Sequence, residues 1–259
     1  MIESRSGRRL GALLAAAAVT RAGTAALRSR PPGGTARWMR KNHAGKTVEL
    51  YAGPAAAVGA AVGAAALPAV PRAATAVAVL AAGACGLYDD MAGADDPRRG
   101  FRAHLGALRS GEVTSGAVKL FGISAAGLAA GALLKERPAD KVLAGVVIAG
   151  AAHFVNLVDV RPGRACATVL ALGAPGLLRK GPGAVVAAAS MGAAAAVLPA
   201  DVGERAMIGD AGAHALGAGI GAAIVAGNGR AGLVAHAAAL VAAAVYGERV
   251  SRVAGADLG

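Results

Sequence analysis

The chain has 259 residues, 39 of them glycine. Of the whole, 56% are hydrophobic, only 3% aromatic and 16% charged, and the net charge is +12. A disordered chain would be polar and charged, and a disulfide scaffold would need more than the two cysteines, Cys85 and Cys166. Strands favour β-branched and aromatic residues over Ala-Gly runs, so a soluble Rossmann-type enzyme is disfavoured and an all-α bundle remains.

A membrane helix needs about 20 mostly apolar residues. The first such run covers residues 10–27 and is broken only by Arg21. The basic start before it (Arg5, Arg8, Arg9) is shared with cleaved signal peptides, but the spans that follow favour a retained helix. Further runs cover 50–71, 73–88, 113–134 (with Lys119 its one charge), 142–158, 165–178, 181–200, 211–229 and 231–247. These nine runs predict a polytopic transmembrane helical bundle of about nine spans, a single integral membrane domain over 1–259. Small residues suit close helix packing in lipid. In water, each glycine inside a helix would cost about 1 kcal/mol.

With nine spans the loops alternate between two sides. The segments after spans one, three, five, seven and nine hold fifteen basic residues, and the other side holds ten. The positive-inside rule makes the first side cytoplasmic. The net charge then reads as topology signal and affinity for anionic headgroups; without interleaved aromatics, no nucleic acid is expected. Twelve of the fifteen acidic residues also fall on the cytoplasmic side. Orientation does not require that, so gathered carboxylates there point to a cation or a phosphate–metal site.

Four segments carry polar groups at the ends of apolar runs. Asp89 and Asp90 are adjacent acids, whose mutual repulsion and desolvation a hard cation would relieve; the alternative is a solvated helix end. Lys119 lies a turn inside its run, where it either snorkels to the interface or meets a phosphate. Asn156 and Asp159 are three residues apart, on one helix face. Polar residues within a span usually face the bundle and mark function, with an interhelical hydrogen bond as the plain alternative. Asp210 opens the eighth run, where it either caps the helix or holds a metal beside phosphate-binding amides. Carboxylates for a metal and a lysine for phosphate suit transfer of a phosphoryl-linked group to a lipid.

At these residues the chain resembles the polyprenyl-phosphate N-acetylhexosamine-1-phosphate transferases (glycosyltransferase family 4), which include the phospho-N-acetylmuramoyl-pentapeptide transferase. The likeness runs in order over about 37–221. Gly86-Leu87-Tyr88-Asp89-Asp90 is similar to the family's Asp-Asp motif, and Thr114 to Leu120 to its Ser-Gly…Lys-Leu segment. Asn156-Leu157-Val158-Asp159 resembles its Asn-Leu-x-Asp segment, and Gly209-Asp210-Ala211-Gly212 with Leu216-Gly217 its Gly-Asp-x-Gly…Leu-Gly motif. Residues 40–50 resemble its first cytoplasmic loop more faintly.

The resemblance implies a Mg²⁺-dependent enzyme of cell-wall glycan synthesis in the bacterial plasma membrane, with a cytoplasmic active site. In that family a polyprenyl phosphate attacks the β-phosphorus of a UDP-sugar and releases UMP. Carried over by position, Asp89 and Asp90 would meet the lipid phosphate and Lys119 would offset phosphate charge. Asp210 would hold Mg²⁺, and Asn156 and Asp159 would line the nucleotide side. The implied partners are polyprenyl phosphate, a UDP-N-acetylhexosamine, membrane lipids and a second copy in a homodimer. A degenerate, non-catalytic member that binds polyprenyl phosphate or a cell-wall partner is the alternative.

The chain departs from the family in two places. The family's Asp-Gly-x-Asp-Gly gives way to Asp159-Val160-Arg161-Pro162-Gly163-Arg164, so two arginines appear where a second acid is lost. Arg161 and Arg164 are expected to bind a nucleotide diphosphate or the lipid phosphate. The family's His-rich loop has no counterpart within these residues. The five histidines (His43, His104, His153, His214, His236) are scattered in sequence, and His153 and His236 are expected to be packing groups.

Overall fold

A computed structural model describes residues 5–93 and 101–256. Within them the protein is helical apart from one short hairpin and a 3-10 turn, as the composition predicts. Helix α1 (Arg5–Ser29) leads into strands β1 (Met39–Lys41) and β2 (Thr47–Glu49). Then follow α2 (Ala52–Gly63), α3 (Ala69–Ala92), α4 (Phe101–Arg109), α5 (Ser115–Leu134), α6 (Pro138–Leu157) and α7 (Arg164–Leu177). The chain continues through α8 (Pro182–Val202), α9 (Gly209–Gly227), α10 (Arg230–Val245) and α11 (Gly247–Gly255).

Each of the nine apolar runs yields a helix. Five of these helices, α1, α3, α5, α6 and α8, are long and apolar enough to cross a membrane; a sixth is added if α10 and α11, bent by 81°, count as one span. Prolines set several boundaries. Pro68 precedes α3 and divides the run over 50–71, so α2 keeps only 12 residues. Pro175 falls in the last turn of α7, which has 14 residues.

Helix α9 lies at the centre, buried along nearly its whole length among α2, α3, α6, α7 and α8. The nine helices alternate in direction, because their connections gather at two ends. At one end Arg28 pairs with Glu49, Met207 N–H donates to Glu49 O (3.0 Å), and Ser251 Oγ donates to Leu157 O (2.8 Å). At the other, Arg9 donates to the carbonyls of Leu177 (2.6 Å) and Arg179 (2.8 Å), and Arg230 pairs with Asp140 (2.6 Å).

The β1–β2 hairpin covers the first end. Asn42 Oδ1 closes its turn by accepting from the N–H groups of Ala44 (3.0 Å) and Lys46 (2.9 Å), an Asx-type turn. Beneath it Trp38, Leu50 and Tyr51 form a small separate core, with the two rings 5.2 Å apart.

Candidate functional site

Asp89 and Asp90 end α3, at the end of the bundle that carries the hairpin. Consecutive helical residues lie on different faces, so the two acids meet different partners. Asp90 turns to α9. Its Oδ1 accepts from Asp210 N–H at 3.1 Å and its Oδ2 from Ala211 N–H at 3.0 Å. The first amides of a helix have no partner within it, and the residue before α9, Ile208, offers no capping side chain. Asp90 supplies that cap from a separate helix, at the positive end of the α9 dipole.

Two glycines make the approach feasible. A Cβ on Gly86 would lie 2.7 Å from Ala211 N, inside contact distance. Gly209 opens α9 at φ 59°, in the left-handed region that favours glycine. The end of α3 is held further by Arg40, whose Nη2 donates to Asp90 O at 2.5 Å.

Asp89 turns to α5. Lys119 Nζ donates to its Oδ2 at 2.5 Å and also pairs with Asp210 Oδ2, so one ammonium joins carboxylates from α3 and α9. Thr114 fixes the start of α5 by accepting from Ala117 N–H (3.1 Å), and its hydroxyl lies 3.0 Å from His104 Nδ1. Side-chain exposure is 18% for Lys119 and Asp89 and 27% for Asp210, so the trio is sheltered yet open to a ligand.

Beyond Lys119 lies a cavity of about 180 Å³, lined by His104, Ser124, His153, Asn156 and His214. Three of the histidines that are scattered in sequence therefore gather here. His153 precedes Asn156 by three residues, and His214 follows Asp210 by four, with its Nδ1 2.8 Å from Asp210 O. That helical spacing was the available signal. The part of His104 had none, because it depends on how α4 docks.

Asp159 is elsewhere. Helix α6 stops at Leu157, Val158 caps it, and Asp159 N–H donates to Asn156 O at 3.2 Å. The chain turns there, so Asn156 and Asp159 do not share the continuous helical face expected of them. Asp159 lines a second cavity, of about 150 Å³, with Lys41, Asn42, Arg161, Asp201 and Glu204. Burial, and next the charge of Asp201, push its carboxyl well above the usual carboxylate range. Asp201 is itself buried and accepts from Gly163 N–H at 2.9 Å. Glu204 is held below its usual range by Lys46, then by Asn42.

Arg161 and Arg164 donate to the carbonyls of Gly255 (3.2 Å) and Ala256 (3.1 Å), at the negative end of α11. Arg161 also lines the Asp159 cavity, whereas Lys119 lines the other one.

The donor set of Asp89 and Asp210 fits a hard divalent cation, with carboxylate oxygens from two helices aimed at one point. Mg²⁺ is commonly held by one or two carboxylates, with substrate phosphates and water completing its octahedron. Among the described residues no group of three or more His, Cys, Asp or Glu side chains forms a metal cage.

No protein-family model matches the chain, and no curated protein matches it.

Proposed function

We propose that the protein transfers a sugar-1-phosphate from a UDP-sugar to polyprenyl phosphate, with Mg²⁺, at the cytoplasmic face of a bacterial plasma membrane. The observation that carries this reading is the convergence of Asp89, Asp210 and Lys119 from three helices at one end of the bundle. Carboxylates beside a lysine, in a sheltered site that opens to a cavity, suit chemistry on a charged diphosphate.

In this reaction an oxygen of the lipid phosphate bonds to the β-phosphorus. The bond from that phosphorus to the oxygen shared with the α-phosphate breaks, and UMP leaves. Asp89 orients the lipid phosphate and takes its proton when that phosphate arrives protonated. Lys119 turns from the carboxylates to phosphate oxygens in the adjoining cavity, where Asn156 holds the nucleotide side. Asp90 acts through Asp210, by fixing the start of α9. When bound, Mg²⁺ would neutralise diphosphate charge, with Asp210 and Asp89 as its ligands. A UDP-N-acetylhexosamine is the donor this reading favours.

In the same reading all nine helices traverse the membrane. At 1.5 Å per residue α9 extends about 28 Å, close to the ~30 Å hydrocarbon thickness. Its neighbours shield it from lipid, so its glycines and Asp210 carry little penalty there. Helices α2 and α7 extend about 18 and 21 Å, and the hairpin and loops beside them fill the remaining depth. The fifteen-to-ten basic bias supports a cytoplasmic position for the acidic end.

A second reading, a lipid-binding protein without turnover, is favoured by the closed Asp89–Lys119–Asp210 pairing and by the engagement of Arg161 and Arg164 with the end of the chain. The deciding experiment incubates detergent-purified protein with UDP-N-acetylhexosamines, undecaprenyl phosphate and Mg²⁺, and measures UMP. Transferase activity predicts release that Asp89→Asn and Asp210→Asn each lower about a hundredfold or more. Absence of UMP with every donor, while the lipid still binds, selects the second reading.

A further inference from the structure

The end of the bundle opposite the acidic site is rich in cations that the topology rule does not ask for. Arg179 and Lys180 lie in the connection between α7 and α8, and Arg9 reaches that connection from α1 through two carbonyls. Arg179 also donates to Asn228 Oδ1 at 3.3 Å, and Lys135 Nζ donates to Asn228 O at 2.8 Å. Carboxylates are scarce by comparison. Among the described residues, the ion pair at this end joins Arg230 to Asp140, whose carboxylate also feels the charges of Arg137 and Lys135, and no carboxylate forms an ion pair with Arg9, Arg179 or Lys180.

Two cavities flank the first turn of α8, and Lys180 lines both. One, of about 460 Å³, has Arg8, Arg9 and Lys180 on its wall. The other, of about 240 Å³, is a mainly apolar groove among α7, α8 and α9, with Asn228 and, from α10, His236 also on its wall. Ala171, Leu172, Ala187, Ile220 and Ala223 form its sides, and Arg179 and Lys180 stand at its mouth. Leu178, in the same connection, is 88% exposed, an apolar side chain at the level of the cations. Cations beside an apolar groove match an amphiphile with an anionic head and a hydrocarbon tail.

We propose that this is a binding site for an anionic phospholipid, with its phosphate held by Arg179 and Lys180 and one acyl chain in the α7–α8–α9 groove. The site is distinct from the acidic end and does not depend on the transferase reading. Arginine and lysine bind the phosphate by charge-assisted hydrogen bonds, and the small residues of the groove leave room for methylenes.

Native mass spectrometry and thermal unfolding of the detergent-purified full chain test this, with phosphatidylglycerol, phosphatidylcholine or inorganic phosphate added. Phosphatidylglycerol is expected to be retained and to raise Tm, and phosphatidylcholine is not. The Arg179→Ala, Lys180→Ala double variant should retain about tenfold less phosphatidylglycerol, the usual loss for a charge-assisted contact. Ala171→Leu narrows the groove at an exposed position, keeps the cations, and should also reduce retention. Arg72→Ala, a cation of the same end outside both cavities, should leave it unchanged. Equal retention by all variants would overturn the proposal and leave the cations as interfacial anchors. So would inorganic phosphate stabilising the protein as well as phosphatidylglycerol with Ala171→Leu indifferent, since that marks a free-anion site.

Discussion

Asp89 and Asp90 are neighbours in sequence and diverge in space: Asp89 takes the ammonium of Lys119, while both oxygens of Asp90 are bound by the first amides of α9. This division separates an acid that can meet a substrate from one that builds the site. It also explains why the pair is adjacent, because one helix end must reach α5 and α9 together.

The two acids should therefore respond differently to substitution. Asp90→Ala removes the cap of α9 and is expected to cost about 1–2 kcal/mol, read as a lower Tm in detergent. Asp90→Asn keeps one acceptor and should lose less. Asp89→Asn should leave Tm nearly unchanged, since Lys119 keeps Asp210, yet abolish UMP release under the proposed function. A Tm loss for Asp89→Asn as large as that for Asp90→Ala would show that the division of roles is wrong.

Lys119 is the countercharge that lets Asp89 and Asp210 sit together. Lys119→Ala leaves two carboxylates facing one another, which disfavours their joint ionisation. A divalent cation should then replace the ammonium. Mg²⁺ is expected to stabilise Lys119→Ala more than the unmodified protein, by up to about 2.7 kcal/mol at roughly 100 times Kd, read as the larger rise in Tm. Equal shifts in both proteins would argue against a metal site on these two acids.

Much of this arrangement is legible in the sequence, for identifiable reasons. Runs free of charge mark the helices because lipid-facing and core positions exclude ions alike. Lys119 stands out because ionisable groups are rare within such runs, and Asp89 and Asp210 because they directly border them. Span length is less legible for α2: Pro68 divides its run without adding charge, whereas α7 matches its short run residue for residue in length, and α9 is buried by neighbours that its own composition does not reveal. The hairpin is hidden because three-residue strands carry too little alternation to detect, although Asn42 to Gly45 spells a turn. The separation of Asn156 from Asp159 depends on where α6 stops, which the spacing of three alone could not decide. Grouping His104, His153 and His214 needs the docking of three helices.

The alternation of the helices gives a direct topological prediction. Connections at the hairpin end should be cytoplasmic and those at the opposite end external. In a Cys85→Ser, Cys166→Ser background, a cysteine at position 43 should react with an impermeant thiol reagent only after cells are opened. One at position 136 should react in intact cells. Labelling of position 43 from outside would reverse the orientation and remove the cytoplasmic site.

Asp159 provides a test through pH. Its folded-state carboxyl is raised above the ordinary value, by burial first and the charge of Asp201 second. Folding therefore favours its protonated form. That contribution is fully present below the unfolded carboxylate range, near pH 4, and is lost as pH rises through the higher folded value. Asp159→Asn stays neutral at every pH and keeps the side chain's size. The variant should match the unmodified protein at the acid end and exceed its Tm increasingly as pH rises from the ordinary carboxylate range through the higher folded value. Asp201→Asn should diminish that difference, because it removes one of the charges that act on Asp159. Parallel Tm curves for Asp159→Asn and the unmodified protein across the range would mean that Asp159 ionises without cost. The cavity beside Lys41 and Asn42 would then be more open to water than its geometry indicates, with Asp159 available as a charged ligand for the ribose or base of a nucleotide. A growing gap would instead show that the folded protein disfavours the charged form of Asp159, as its burial and the neighbouring Asp201 require.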